Sequence, residues 1–408
     1  MRQRRMIGRA GTVLVLLLAA AVGFGTEGGV GGPLPELTED QMRLFGDGKE
    51  TFEEIATPPR LGPFFNGFSC AECHGHPAVG GVAPPDRAEL REMRIGRLDR
   101  WGQFDPMLEF GGPVFHRLGL GDLPESELQQ LPPACRRVKG STTPPDEARF
   151  VSFRIATPVF GGGLIEAIPA EEILRRADPD DVKRRDGISG RPNLLGIDVG
   201  RFGWKAQVSN LPAFAADAYR VEMGITSPLA PTETHIFRQG PMGHAARQCA
   251  AASKPFEDDG ADSTKFADFM RFLAPPPRGP ITAEVRRGEQ LFHRAGCHKC
   301  HVPELRTGPN VIAALDRKPV QAFSDFLLHD IGTGDGIVQG GASGNEFRTA
   351  PLWGVRFREH ALLHDGRATT MLDALFHHNG EAARAKDRVF HQFSARERES
   401  LLAFLRSL

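Results

Sequence analysis

The chain has 408 residues, 40% hydrophobic and 25% charged, with a formal net charge of −1 and a pI near 6.9. That length suggests two or three domains with enough apolar material for buried cores. Without a basic excess, nothing points to nucleic acid or to an anionic membrane surface, and 47 Gly with 32 Pro predict many loops.

The N-terminus reads as a targeting segment. Arg2, Arg4 and Arg5 precede a short apolar run from Thr12 to Phe24, and Ala19-Ala20-Ala21 offers a cleavage site. A signal peptide over 1–25 predicts export to the periplasm. The other reading is an uncleaved anchor, which is the one route to membrane attachment. Residues 25 to about 40 are rich in Gly and Pro and predict extended chain.

A Cys-x-x-Cys-His motif follows at Cys70, Cys73 and His74, then a loop-rich stretch to about residue 150. Residues 150–273 are mixed. They end in an amphipathic helix, Ser263 to Leu273, with Phe266, Phe269, Met270 and Leu273 at helical spacing. Pro275-Pro276-Pro277-Arg278-Gly279-Pro280 then breaks the chain and divides an N-terminal region, 26–274, from a C-terminal domain, 281–408. Thr282 caps a helix through Val285, Gly288, Leu291 and Phe292, which leads into a second motif at Cys297, Cys300 and His301. Ser394 with Glu397 makes a capping box for a terminal helix bearing Leu401, Leu402 and Leu405. The run Phe153 to Gly161 is echoed by Phe347 to Gly354, which predicts two related halves.

Two thiols three residues apart can add to the two vinyl groups of one haem, and the adjacent His then lies under the iron. The motifs therefore predict two covalent c-type haems, one on Cys70, Cys73 and His74 and one on Cys297, Cys300 and His301. A redox dithiol leaves the His unexplained, and a zinc site requires two distant pairs to converge. Cys135 and Cys249 remain, and their spacing leaves a disulfide and two separate buried thiols equally open.

The far side of each iron decides the chemistry. Met371, Leu375 and His378 share one helix face, so His378 is a candidate second ligand of the second haem. His377 points about 100 degrees away. No histidine follows the first motif at a persuasive distance except His116. The first iron is therefore expected to keep an open or water-bound position.

The run Phe68-Ser69-Cys70-Ala71-Glu72-Cys73-His74, Gly163-Leu164-Ile165-Glu166-Ala167-Ile168-Pro169 and Gly200-Arg201-Phe202-Gly203-Trp204-Lys205-Ala206 resemble the di-haem oxidoreductase family. So do Arg348-Thr349-Ala350-Pro351-Leu352-Trp353-Gly354, Leu363-His364-Asp365-Gly366-Arg367-Ala368 and His378-Asn379-Gly380-Glu381-Ala382. This likeness spans about 40–408 and extends to bacterial di-haem cytochrome c peroxidases and MauG-type enzymes. It implies a mainly α fold of two cytochrome c-like domains with long insertions. It also implies peroxide reduction at the first haem, with electrons relayed through the second from a small cytochrome or cupredoxin. A pure electron carrier and an oxygenase or protein-modifying enzyme are the other functions such a chain supports.

Glu166, in an apolar run, becomes the candidate acid/base, against a structural pairing with an arginine such as Arg154. His378 falls where the peroxidases carry a Met and MauG a Tyr. Trp204 reads either as an inter-haem relay or as a core residue, and Trp353 is equally ambiguous. Asp178-Pro179-Asp180-Asp181 with Asp186-Gly187 reads either as a calcium loop off EF-hand spacing or as a solvated acidic turn.

Overall fold

The computed structural model describes residues 29–87, 89–250 and 257–408. The signal segment expected at 1–25 lies outside the described residues. The protein is mainly α, organised by two pairs of crossing helices.

The first pair is α1, Glu39–Glu53, against α2, Ala261–Phe272. Thr38 starts α1. Its hydroxyl accepts from the Gln41 amide at 3.3 Å, and the Gln41 side chain accepts from the Thr38 amide at 3.0 Å. Phe45 and Phe52 of α1 pack on Phe269 at ring separations of 5.4 and 5.0 Å. Between them Gly48 lets the backbones meet, since a Cβ there would lie 2.3 Å from the Lys265 carbonyl oxygen.

The second pair repeats the device. Helix α3, Ala283–Ala295, is capped by Thr282, and α4, Ala395–Arg406, by the Ser394–Glu397 box. A Cβ on Gly288 would lie 2.0 Å from the Ser400 carbonyl oxygen, and Phe292 packs on Phe404 at 5.2 Å. The spacing matches the first pair: Phe45, Gly48 and Phe52 against Val285, Gly288 and Phe292. Gly288→Val is expected to cost at least the 1–3 kcal/mol, roughly, of core overpacking, because the clash is with backbone. A thermal midpoint equal to that of the unaltered protein would show that this close approach is dispensable.

The stretch expected to be a loop-rich insertion holds a small antiparallel sheet. Its centre is β1, Glu92–Leu98, flanked by β2, Phe104–Asp105, β3, Val114–Phe115, and β4, Phe150–Arg154. Met93 pairs with Phe153 and Ile95 with Val151. The middle of β1 is buried on both faces, with Met93 and Ile95 on one and Arg94 and Gly96 on the other. Cys135 and Cys249, 114 residues apart, form a disulfide with a Cα–Cα distance of 4.8 Å. This decides the open question about them.

The echoed segments are structural counterparts. Gly161 and Gly354 both take left-handed φ values, +67° and +69°, and each starts a helical turn. Trp353 packs against Gly161, where a Cβ would lie 2.6 Å from its ring. The smaller apolar core lies wholly within 285–408. The larger one also draws in Leu305, Leu315, Val320 and Phe326 from beyond the proline-rich break.

Candidate haem-binding cavities

Each Cys-x-x-Cys-His motif opens onto its own cavity, of about 170 Å³ for the first and 220 Å³ for the second. Cys70 and Cys73 sit on one helical turn, capped by the Ser69 hydroxyl, which accepts from the Glu72 amide at 3.2 Å. The His74 ring places Nδ1 3.1 Å from the Gly81 carbonyl oxygen, so Nδ1–H donates and Nε2 keeps its lone pair. Burial lowers its pKa to about 4, which holds the imidazole neutral, the form that ligates a metal. Burial also pushes the thiols of Cys70, Cys73 and Cys297 up to about 12 and keeps them protonated.

The second cavity holds two such imidazoles. His301 donates from Nδ1 to Phe323 at 3.0 Å, and His378 from Nδ1 to Ala374 at 2.8 Å. Burial lowers the pKa of both, to about 4 for His301, and leaves two neutral Nε2 atoms for ligation. His377 does not line this cavity and lies 3.7 Å from Asp373. His364 does line it, stacked flat on Phe347 at 3.9 Å.

The donor set fits a c-type haem in each cavity. A thiol pair stands beside a neutral imidazole whose Nδ1 is already satisfied. Among the described residues, Cys300, Asp325 and His329 also cluster at metal-ligand range, with their ligand atoms within 4.8 Å of one another. There His329 contacts two carboxylates, Asp325 at 3.0 Å and Glu381 at 2.7 Å. Burial opposes charge on this ring, and Asp325 favours it.

Among the described residues, His74 is the one histidine that lines the first cavity; Met223 and Met270 line it too. So does Glu222, on the helix Leu211–Met223. Asn66 Nδ2 donates to Glu222 Oε2 at 2.9 Å, while its own Oδ1 accepts from the Arg117 amide at 3.1 Å. Burial first, then the nearby Glu92, pushes the Glu222 carboxyl up to about 8.

Glu166, expected to be the acid/base, lines neither cavity. Its Oε1 accepts from the Leu211 amide at 2.7 Å, and Oε2 faces Arg271 at 3.4 Å. It starts the helix that carries Glu222 instead of facing the site. Its arginine partner is Arg271; Arg154 pairs with Asp335.

Trp204 lines both cavities and donates from Nε1 to the Ile155 carbonyl at 2.8 Å. The acidic run, read either as a calcium loop or as a solvated acidic turn, is satisfied by the protein itself. Asp178 accepts from the amides of Val182, Lys183 and Arg184, and Asp181 from those of Asp186 and Gly187. Asp186 pairs with Lys299 at 2.7 Å. These carboxylates turn inward to amides and a lysine, not toward a shared cation.

Sequence reading missed Glu222, although a signal was there. Ala215, Ala218 and Glu222 share a helical stripe, with the carboxylate alone among small residues, and all three line the first cavity.

A family profile described as "Di-haem oxidoreductase, putative peroxidase" matches residues 141–408. Among solved structures, the chain is similar to a MauG-like protein associated with microbial copper homeostasis. That match has 15% identity, 93% coverage of both chains and a TM-score of 0.41. It is also similar to Kuenenia stuttgartiensis hydrazine synthase at 14% identity, 100% coverage of both chains and a TM-score of 0.37. No curated protein matches it.

Proposed function

The chain belongs to the di-haem oxidoreductase family, and from that premise we propose an exported enzyme with two unequal c-type haem sites. On this reading each crossing helix pair frames a cytochrome c-like unit. The first site, at Cys70, Cys73 and His74, reduces hydrogen peroxide. The second, at Cys297, Cys300, His301 and His378, passes on electrons from a small periplasmic cytochrome or cupredoxin. The observation that carries this is the asymmetry of the cavities. One brings two neutral imidazoles together. The other offers a single imidazole and the Glu222 carboxyl, which burial and then Glu92 push toward its neutral form.

Cys70, Cys73 and His74 would hold a haem in the first cavity, and that haem would supply the redox chemistry toward peroxide. The chain's own part is proton placement. Glu222, held by Asn66, keeps a proton at pH 7 and can deliver it to a departing oxygen. Phe52 and Phe266 line the same space. Trp204, which touches both cavities, is the side chain best placed to couple them.

The test is a ferric spectrum with and without peroxide. A high-spin signal that peroxide abolishes supports the reading. The second reading, an electron carrier, is favoured by Met223 and Met270, either of which could close the first iron. It requires both irons to be low-spin and inert to peroxide. Turnover with peroxide plus reduced cytochrome separates a peroxidase from an oxygenase.

His378 has its own prediction. His378→Ala is expected to open the second iron to added ligands. His378→Met is expected to keep it low-spin and raise its potential. An Ala variant with an unchanged low-spin spectrum would remove His378 from the ligand set, and His364 would be next.

A further inference from the structure

We propose that Arg348 and Arg358 form a carboxylate-binding corner of the second cavity that receives the propionates of the haem held there. This rests on the reading that Cys297, Cys300 and His301 hold a haem. Both residues line the cavity and are only 8% and 5% exposed. Neither meets a carboxylate among the described residues.

Each guanidinium has five N–H donors, and few of them are used. Arg348 donates from Nε to the Gly203 carbonyl at 2.9 Å, and Arg358 donates one terminal nitrogen to the Pro351 carbonyl at 3.0 Å. The Arg358 Nε is buried without a partner. Burial pulls both pKa values down to about 10, and Arg358 lowers that of Arg348 further. Two buried like charges without an anion are costly, and a pair of carboxylates would relieve both. Bidentate geometry favours the same ligand.

The internal repeat sharpens the assignment. Arg154 and Arg348 occupy the same place in the echoed segments, each after a Phe and each lining its own cavity. In the first half the charge is met internally, with Arg154 2.6 Å from Asp335. In the second half no carboxylate does this, and the charge is left for a ligand. Of the other cations on the cavity wall, Lys299 is paired with Asp186, and Arg384, Lys386 and Arg388 donate to backbone or amide oxygens. The Arg348 amide also donates to the Trp204 carbonyl at 2.8 Å. The Arg348 backbone is thereby tied to that of Trp204, which lines both cavities.

The test uses the haem-loaded full chain. It reads the midpoint potential of the second haem by spectroelectrochemistry and its propionate bending band by resonance Raman. Arg348→Leu and Arg358→Leu are each expected to lower the potential, because losing a nearby positive charge favours the ferric state, and to shift the band. Arg348→Lys should keep most of the wild-type potential. Should Arg348→Leu fail to load while Arg348→Lys loads, the need for charge is supported, and Arg358→Leu carries the potential measurement. Leu variants with two haems and an unmoved potential and band would overturn the assignment. So would a Lys variant that falls as far as the Leu variant. A wild type without haem on Cys297 and Cys300 would overturn the functional reading and this assignment together. A loaded protein with an unmoved potential overturns this assignment alone.

Discussion

Replacing Cys70 and Cys73 together with alanine is expected to halve the haem content, from two per chain to one, with the remaining haem still attached after denaturation. The thioether bonds need both thiols of a motif, and the motifs open onto separate cavities. Nothing in the second cavity can substitute for the lost pair. The reciprocal change of Cys297 and Cys300 should leave the first haem alone, and the spectrum of each variant should then report a single site. Pyridine haemochrome quantification on denatured protein is the measurement. A wild type with one haem or none would sink the assignment of both cavities. A Cys70/Cys73 variant that kept two attached haems would sink the assignment of the first. Loss of both haems from either variant would mean that loading at one site depends on the other.

The second large effect concerns Glu222. Glu222→Gln is expected to slow peroxide reduction by about 10²- to 10⁴-fold, the usual contribution of a positioned proton donor, with haem content unchanged. The pH dependence follows from the direction of its shift. Burial and Glu92 favour the neutral carboxyl and raise its pKa to about 8. The acid is therefore present at pH 7 and is lost as the pH rises through that value. Wild-type turnover should fall on that limb, and the Gln variant should be slow and flat across it. Asn66→Ala, which removes the hydrogen bond to Oε2, should move the limb. That hydrogen bond favours the charged form, so its loss should shift the limb to higher pH. Glu166→Gln is the control, since its carboxylate faces Leu211 and Arg271. Full activity in Glu222→Gln would exclude this carboxyl, and Met223 and Met270 would then be examined as ligands that close the first iron.

What could be read along the chain was whatever its chemistry keeps within a few residues. Each haem motif fits on one turn. The caps at Thr282 and Ser394 act across three residues. The face that carries Met371, Leu375 and His378 spans two turns of one segment, and the structure places all three on the second cavity. The β1 sheet was missed because only Met93 and Ile95 mark the middle of β1 as apolar and two of its partner strands are two residues long.

The remaining assignments depend on which distant segments meet, and packing alone decides that. Cys135 reaches Cys249 across 114 residues. Glu166 looked like an acid in an apolar run, but Arg271 and a helix start claim it, while Glu222 on that same helix faces the cavity. Trp204 touches both cavities only because the two echoed segments close around it, with Ile155 accepting from its ring and Arg348 donating to its carbonyl. Local sequence thus determined where the two Cys-x-x-Cys-His motifs lie and which histidine lines the second cavity beside His301. The tertiary structure decided which carboxyl lines the first cavity and which arginines are left without a carboxylate. Burial and charge pairing are properties of assembled neighbours, not of a residue and its spacing.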